Sequence, residues 1–177
     1  MLNEIDLSKL KYKVDYDRFI NNNKSNIPLF SHTLPNLIIQ QQGAISNKAI
    51  RTWEIYYSKI PNECIGHLEQ LLVFCNKNNP AVGTLRGILR ITELCNLPIE
   101  LHDLAINISF SALQNQEYPI AIRCYALGIL AKMAKHYPDL KSEILLQIEH
   151  IKLYQEVSPA FHGKCRIVVK QLSKIKG

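Results

Sequence analysis

The stretch Pro119-Ile-Ala-Ile-Arg-Cys-Tyr-Ala-Leu-Gly-Ile-Leu130 decides how the chain folds, and its reading begins at the proline. Proline lacks a backbone N–H, so it breaks a helix interior but suits the first turn, where that N–H would have no partner. Downstream, Ile122, Ala126, Ile129, Leu130 and Met133 recur at three- and four-residue steps, with Lys132 and Lys135 outside the stripe. This is the spacing of a helix with one buried face. The punctuation recurs outward: Pro80 stands 39 residues before Pro119 and Pro159 stands 40 after it. A second series, Pro61, Pro98 and Pro138, is spaced by 37 and 40 residues. Two interleaved series with one period predict a repeating unit of two helices.

In the helix opened by Pro80, Val82, Leu85, Leu89 and Thr92 run down one side and Arg86, Arg90 and Glu93 down another. Asn79-Pro80 and Ser158-Pro159 read as N-cap plus first-turn pairs, Asn62 and Asp139 follow the boundary prolines, and Ser46 is placed to cap a helix from Asn47. The resulting map has helix pairs at 34–60, 62–97, 99–137 and 139–176, together filling 34–177. A polar, partly helical extension, 1–33, precedes them, with a short helix near Asp15–Ile20 and a loop from Asn21 to Pro28 or beyond.

With 177 residues, 47% hydrophobic and 20% charged, the composition is that of one soluble globular domain. The longest apolar run, Cys124 to Ala131, lies between Arg123 and Lys132 and is far too short for a membrane span. The N-terminus shows no basic segment followed by an apolar one, so a cytoplasmic protein is expected. The net charge of +6 is uneven: Lys164, Arg166, Lys170, Lys174 and Lys176 follow Ala160 with no acid, leaving the rest close to neutral. That balance disfavours a path of phosphate contacts along the whole chain.

Five cysteines (Cys64, Cys75, Cys95, Cys124, Cys165) are spread singly, which argues against a disulfide framework and a zinc site and for small buried side chains. Cys124 and Cys165 have arginines nearby, but helix geometry points such neighbours to different sides. There is no Gly-x-Gly-x-x-Gly, no phosphate loop and no Gly-x-Ser-x-Gly elbow. Gly83 and Gly87 fall inside a helix and predict close helix packing. The six histidines show no metal-ligand spacing, and His102, although adjacent to Asp103, reads as a surface histidine. Glu143 and Glu149 are too far apart to form a carboxylate pair by sequence alone. No catalytic residue, metal or cofactor is therefore expected.

The period, the paired helices and the Pro-Ile-Ala-Ile-Arg-Cys-Tyr-Ala-Leu pattern from Pro119 resemble the HEAT and armadillo-type α-helical repeats. The resemblance spans Leu34 to Lys176, with Arg86, Arg123 and Arg166 following their prolines by six, four and seven residues and Arg51 in a comparable place. It implies an all-α, right-handed α-α superhelix of about four HEAT-like helix pairs, stacked so that neighbours share a core. The second helices of such solenoids line the concave side. Their polar residues here are Arg51, Glu54, Arg86, Arg90, Glu93, Lys132, Lys135, Lys170 and Lys174. The expected function is a non-enzymatic scaffold that binds an acidic segment or helix of a protein partner through Arg51, Arg86, Arg90, Lys132, Lys135 and Lys170. The bland reading is that Arg86 and Arg90 pair with Glu93 or a neighbouring repeat's acid.

The alternative is nucleic-acid binding, by resemblance to HEAT-like DNA-alkylation-repair glycosylases, which hold a duplex on a basic concave face. Trp53 would be the aromatic candidate, yet it shares an apolar stripe with Ala49, Tyr56, Tyr57 and Ile60 and is expected in the core. The Met-Pro-x-Lys-x-Asn signature of the all-helical fumarase superfamily is absent. A membrane-surface role for the last helix lacks the flanking Trp or Phe of interfacial helices. Cys165, Val168, Val169, Leu172 and Ile175 are expected on that helix's inner side.

Overall fold

The proline-punctuated pattern becomes nine α-helices in a computed structural model, which describes residues 6–40 and 43–175 and has no strand among them. They are α1 (Lys13–Asn23), α2 (Leu34–Gln40), α3 (Ala44–Tyr57), α4 (Ile65–Lys77), α5 (Val82–Leu94), α6 (His102–Gln114), α7 (Ile120–Met133), α8 (Leu140–Tyr154) and α9 (Pro159–Leu172). The chain divides into two compact units between Asn96 and Leu97. Lys176, the last cation of the terminal charge run, lies outside the described residues.

In the first unit α3 is the central helix, packed against α1, α2 and α5. Ala49, Ile50, Trp53 and Tyr57 form its buried stripe, and Trp53 is fully enclosed, as its apolar neighbours predicted. The polar N-terminal segment packs onto the same helix: Leu7 and Leu10 are buried, and the Lys48 ammonium donates to the Ser8 carbonyl. Its helix is longer than the Asp15–Ile20 expected, because the Asp15 carboxylate accepts from the N–H groups of Lys11 and Tyr12 (3.0 and 2.8 Å) and fixes the first turn. Those two bonds hold the Asp15 carboxyl below the usual range.

The expected loop to Pro28 or beyond is shorter than read. A π-helical turn, Leu29–Thr33, leads directly into α2, and the Leu34 N–H donates five residues back to the Leu29 carbonyl. Pro35 follows; widening the helix by one residue accommodates a ring that would clash with the carbonyl four residues earlier. Ser46 does not cap α3. The helix starts at Ala44 after Gly43, whose φ of 83° and ψ of −140° form the entry bend, and the Ser46 hydroxyl donates to the Ile38 carbonyl (3.1 Å) on α2.

Three contacts fix the direction of α5 on α3. Gly83 lies beside Asn47, Gly87 beside Ile50, and Arg90 binds Glu54, so both helices ascend together and run parallel. Gly87 makes the crossing possible: a Cβ there would sit 2.6 Å from Ile50 Cγ1. Gly87→Ala therefore exchanges a helix-propensity gain of about 1 kcal/mol for an overpacking cost of about 1–3 kcal/mol. A net loss of roughly 1 kcal/mol is expected. Urea unfolding checks it, and an additional Ile50→Ala change should make the two substitutions cost less than their sum. A midpoint at or above the parent's would show that Ile50 yields freely.

Asn79-Pro80 does not open α5 as expected. Ala81, at φ −54° and ψ 143°, is still extended and occupies the N-cap, so the helix begins at Val82. Asn62 also serves elsewhere: its side-chain oxygen accepts from the Asn96 N–H (2.9 Å) and ties down the end of this unit.

In the second unit α7 is central, packed against α6, α8 and α9. Its buried set, Ile122, Ala126, Leu127, Ile129, Leu130, Ala131 and Met133, covers most of its circumference. Against it α9 places Phe161, Cys165, Val168 and Leu172; Val169, expected on that inner side, is exposed because it falls beyond the stripe's edge, and Ile175 is half-buried. Ser158 caps α9 by accepting from Phe161 N–H (3.4 Å), with Pro159 first in the helix, as the cap pair predicts. At the start of α8, Asp139 holds the N-cap position without a side-chain cap bond.

Candidate functional site

Glu54 stands on α3 one turn after Ile50, facing α5, and is only 2% exposed. A carboxylate with so little water needs compensating partners, and two guanidiniums supply them. Arg51, on the same helix, reaches one carboxylate oxygen at 3.0 Å, and Arg90, on α5, reaches the other at 2.5 Å. Both arginines still keep more than a third of their side-chain surface exposed, 39% and 37%. The cluster therefore has a buried anionic floor and a cationic rim, with formal charge +1. Arg86, one turn before Arg90 on α5, is exposed and adds a further cation. Partial exposure leaves each arginine hydrated, so each pair contributes less than a fully buried one would.

Arg51, Arg86 and Arg90 occur together in the first unit, two of them anchored on Glu54, the neighbouring acid of the bland reading. The other three expected contacts belong to the second unit: Lys132 is half-buried on α7, Lys135 is exposed just after it, and Lys170 is exposed on α9. Glu54 was visible in the sequence as a polar residue of α3, but its bond to Arg90 spans 36 residues. The available signal was an opposite charge close to one repeat period away.

A second cation is organised very differently. Arg123, on α7, is 4% exposed, and its Nε–H donates to the Leu113 carbonyl (3.1 Å) in the last turn of α6. Its terminal nitrogen donates to the Gln155 side-chain oxygen at 2.5 Å, and its guanidinium carbon lies 5.1 Å from the centre of the Phe161 ring. No carboxylate is within ion-pair distance among the described residues. Burial lowers its pKa from the ordinary arginine value. This is a structural tie among α6, α7, the α8–α9 connection and α9, formed by the arginine of the motif on which the repeat reading rests.

His102 is not the surface histidine that the sequence suggested, being 3% exposed. Its Nε2 lies 3.1 Å from the Leu97 carbonyl and its Nδ1 3.1 Å from the Tyr137 hydroxyl. A carbonyl only accepts, so Nε2–H donates to Leu97, while Nδ1 faces the tyrosine hydroxyl. Both ring nitrogens are used structurally, and Asp103 beside it is exposed. Cys165, flagged for its nearby arginine, is buried, and burial pushes its thiol up, away from reactivity.

A concavity of about 500 Å³ opens in the first unit beside the starts of α3 and α5, lined by Ser46, Phe74, Asn78 and Thr84 among others. None of its described lining residues is charged. Among the described residues there is no group of three or more His, Cys, Asp or Glu placed to hold a metal, and no helix is long and apolar enough to cross a membrane. No protein-family model, curated protein or solved structure matches the chain.

Proposed function

We propose that the chain is a non-enzymatic scaffold of HEAT-like helix pairs that accepts an acidic segment or helix of a protein partner. The observation that carries this reading is the pair of half-exposed guanidiniums anchored on one buried carboxylate. Arg51 and Arg90 are held in place before a partner arrives, so they forfeit less rotamer freedom on binding, about 0.5–1.5 kcal/mol per side chain. Planar guanidiniums also suit carboxylate oxygens in a two-point contact. Arg86 extends this surface by one turn within the first unit; the second unit by itself carries Lys132, Lys135 and Lys170 as proposed contacts of their own. The parallel packing of α3 and α5, in which contacting residues are 36 or 37 apart, supports stacked helix pairs with nearly the proline period.

Fluorescence anisotropy with a labelled glutamate-rich helical peptide and a labelled DNA duplex, each at about 50 and 200 mM salt, tests this reading. The peptide is expected to bind. Arg86→Glu should weaken it about tenfold, roughly 1.4 kcal/mol, by removing one cation and repelling the ligand. Its far-UV circular dichroism should be unchanged, because Arg86 is exposed. Failure of the peptide to bind at the lower salt would overturn the proposal. Tight duplex binding that falls steeply with salt would favour the glycosylase-like, nucleic-acid reading instead.

A further inference from the structure

Cys64 lies in the turn before α4, and Cys95 follows the last residue of α5. Both are fully buried, and their sulfurs are 3.5 Å apart. Each thiol is also within hydrogen-bond reach of one carbonyl, that of Pro61, at 3.0 Å from Cys64 and 2.9 Å from Cys95. This shared acceptor holds the two side chains toward one point. Nothing in the spacing of the cysteines announces the pair, which arises because the turn before α4 packs on the end of α5.

We propose that Cys64 and Cys95 form a site of reversible thiol oxidation, closing an intramolecular disulfide in exchange with a small-molecule disulfide such as oxidised glutathione. One cysteine loses its proton and attacks a reagent sulfur, forming a mixed disulfide and expelling one glutathione thiolate. The second cysteine, already in contact, then attacks the protein-bound sulfur and expels the other. Two protein S–H bonds and one reagent S–S bond become one protein S–S bond and two glutathione thiols, so the protein is oxidised as the reagent is reduced. A disulfide bond is about 2.05 Å long, so the sulfurs must close by about 1.5 Å. The Cys95 contact and burial push the Cys64 thiol up, which makes the first step slow and dependent on transient opening of the Pro61 turn. The second step is fast, because its nucleophile is already beside the mixed disulfide. The closed loop encloses both α4 and α5, including Arg86 and Arg90.

The test equilibrates the folded full chain in mixtures of reduced and oxidised glutathione, with and without urea below the unfolding transition, followed by thiol blocking and non-reducing peptide mapping. A linked Cys64–Cys95 peptide, lighter by two hydrogens and released by dithiothreitol, is expected, at a rate that rises with the sub-denaturing urea. Cys95→Ala should abolish the link, and so should Cys64→Ala, which guards against a folding defect in either variant. Two results would overturn the proposal: both thiols staying unlinked at every glutathione ratio, with or without urea, or Cys64 and Cys95 joining Cys75, Cys124 and Cys165 indiscriminately. The second would identify oxidation of unfolded chains.

Discussion

Arg123→Ala should destabilise the protein by about 3–5 kcal/mol, the range for deleting a large buried side chain together with its polar contacts. The loss has three sources. Truncation empties the volume between α7 and α9, withdraws the cation from the Phe161 ring, and strands the Leu113 carbonyl at the buried end of α6. Gln155 is half-exposed and can turn to water, so its share is small. No anion is orphaned by the change, which separates Arg123 from the Arg–Glu cluster of the first unit. Arg123→Met, which keeps the stem volume and avoids the cost of burying charge, should therefore lose much less, about 1–2 kcal/mol. Thermal and urea unfolding followed by far-UV circular dichroism compare the two. Equal losses would show that the hydrogen bonds, not the filled volume, govern the site.

Acidification should cost nearly as much, through His67. Its ring is buried against Trp53 and Tyr57, with centroids 6.2 and 5.0 Å away, and its Nε2 has no hydrogen-bond partner among the described residues. Burial, with a smaller contribution from the nearby His32, pushes its pKa down from 6.5 to about 4. Above about pH 6.5 neither folded nor unfolded chain carries the proton, and the full stability is present. As the pH falls, the unfolded chain takes up the proton first, so stability declines and the loss is complete below about pH 4. A shift of this size corresponds to about 3 kcal/mol, of which roughly 2 should be lost by pH 5. Urea midpoints read from the fluorescence of Trp53, the single tryptophan, at pH 7 and pH 5 test this. His67→Phe, which keeps a ring and removes the titration, should flatten the dependence; an unchanged slope would assign it to other groups.

The sequence made the helices legible because proline and apolar periodicity are local signals. Pro119 and Pro159 stand at the starts of α7 and α9, and Trp53 lies in the core with Ala49 and Tyr57, two of the neighbours that its spacing indicated, while Tyr56 and Ile60 are only half-buried. Pro80 misled by two residues, since Ala81 prolongs the extended segment before α5. The π-helical turn before α2 was hidden because its cause, Pro35, reads equally well as a helix start. The site was less legible for a different reason. Arg51, Arg86 and Arg90 were identified as polar residues of second helices, but anchoring on Glu54 depends on how α5 slides along α3. That offset is set by the Gly87–Ile50 crossing. His102 and His67 were misjudged or overlooked because burial of a single polar residue leaves no periodic trace.

The bend at Gly43 bears on the handedness of the chain itself. Its φ of 83° and ψ of −140° are the mirror image of ordinary extended backbone, a region that L-residues avoid. At this position the fold asks for an achiral residue, or for one of the opposite hand. A D-amino acid would adopt here the same relaxed geometry that an L-residue finds in a strand. Every other described residue of the first unit obeys one chirality; the entry to its central helix is written in the other.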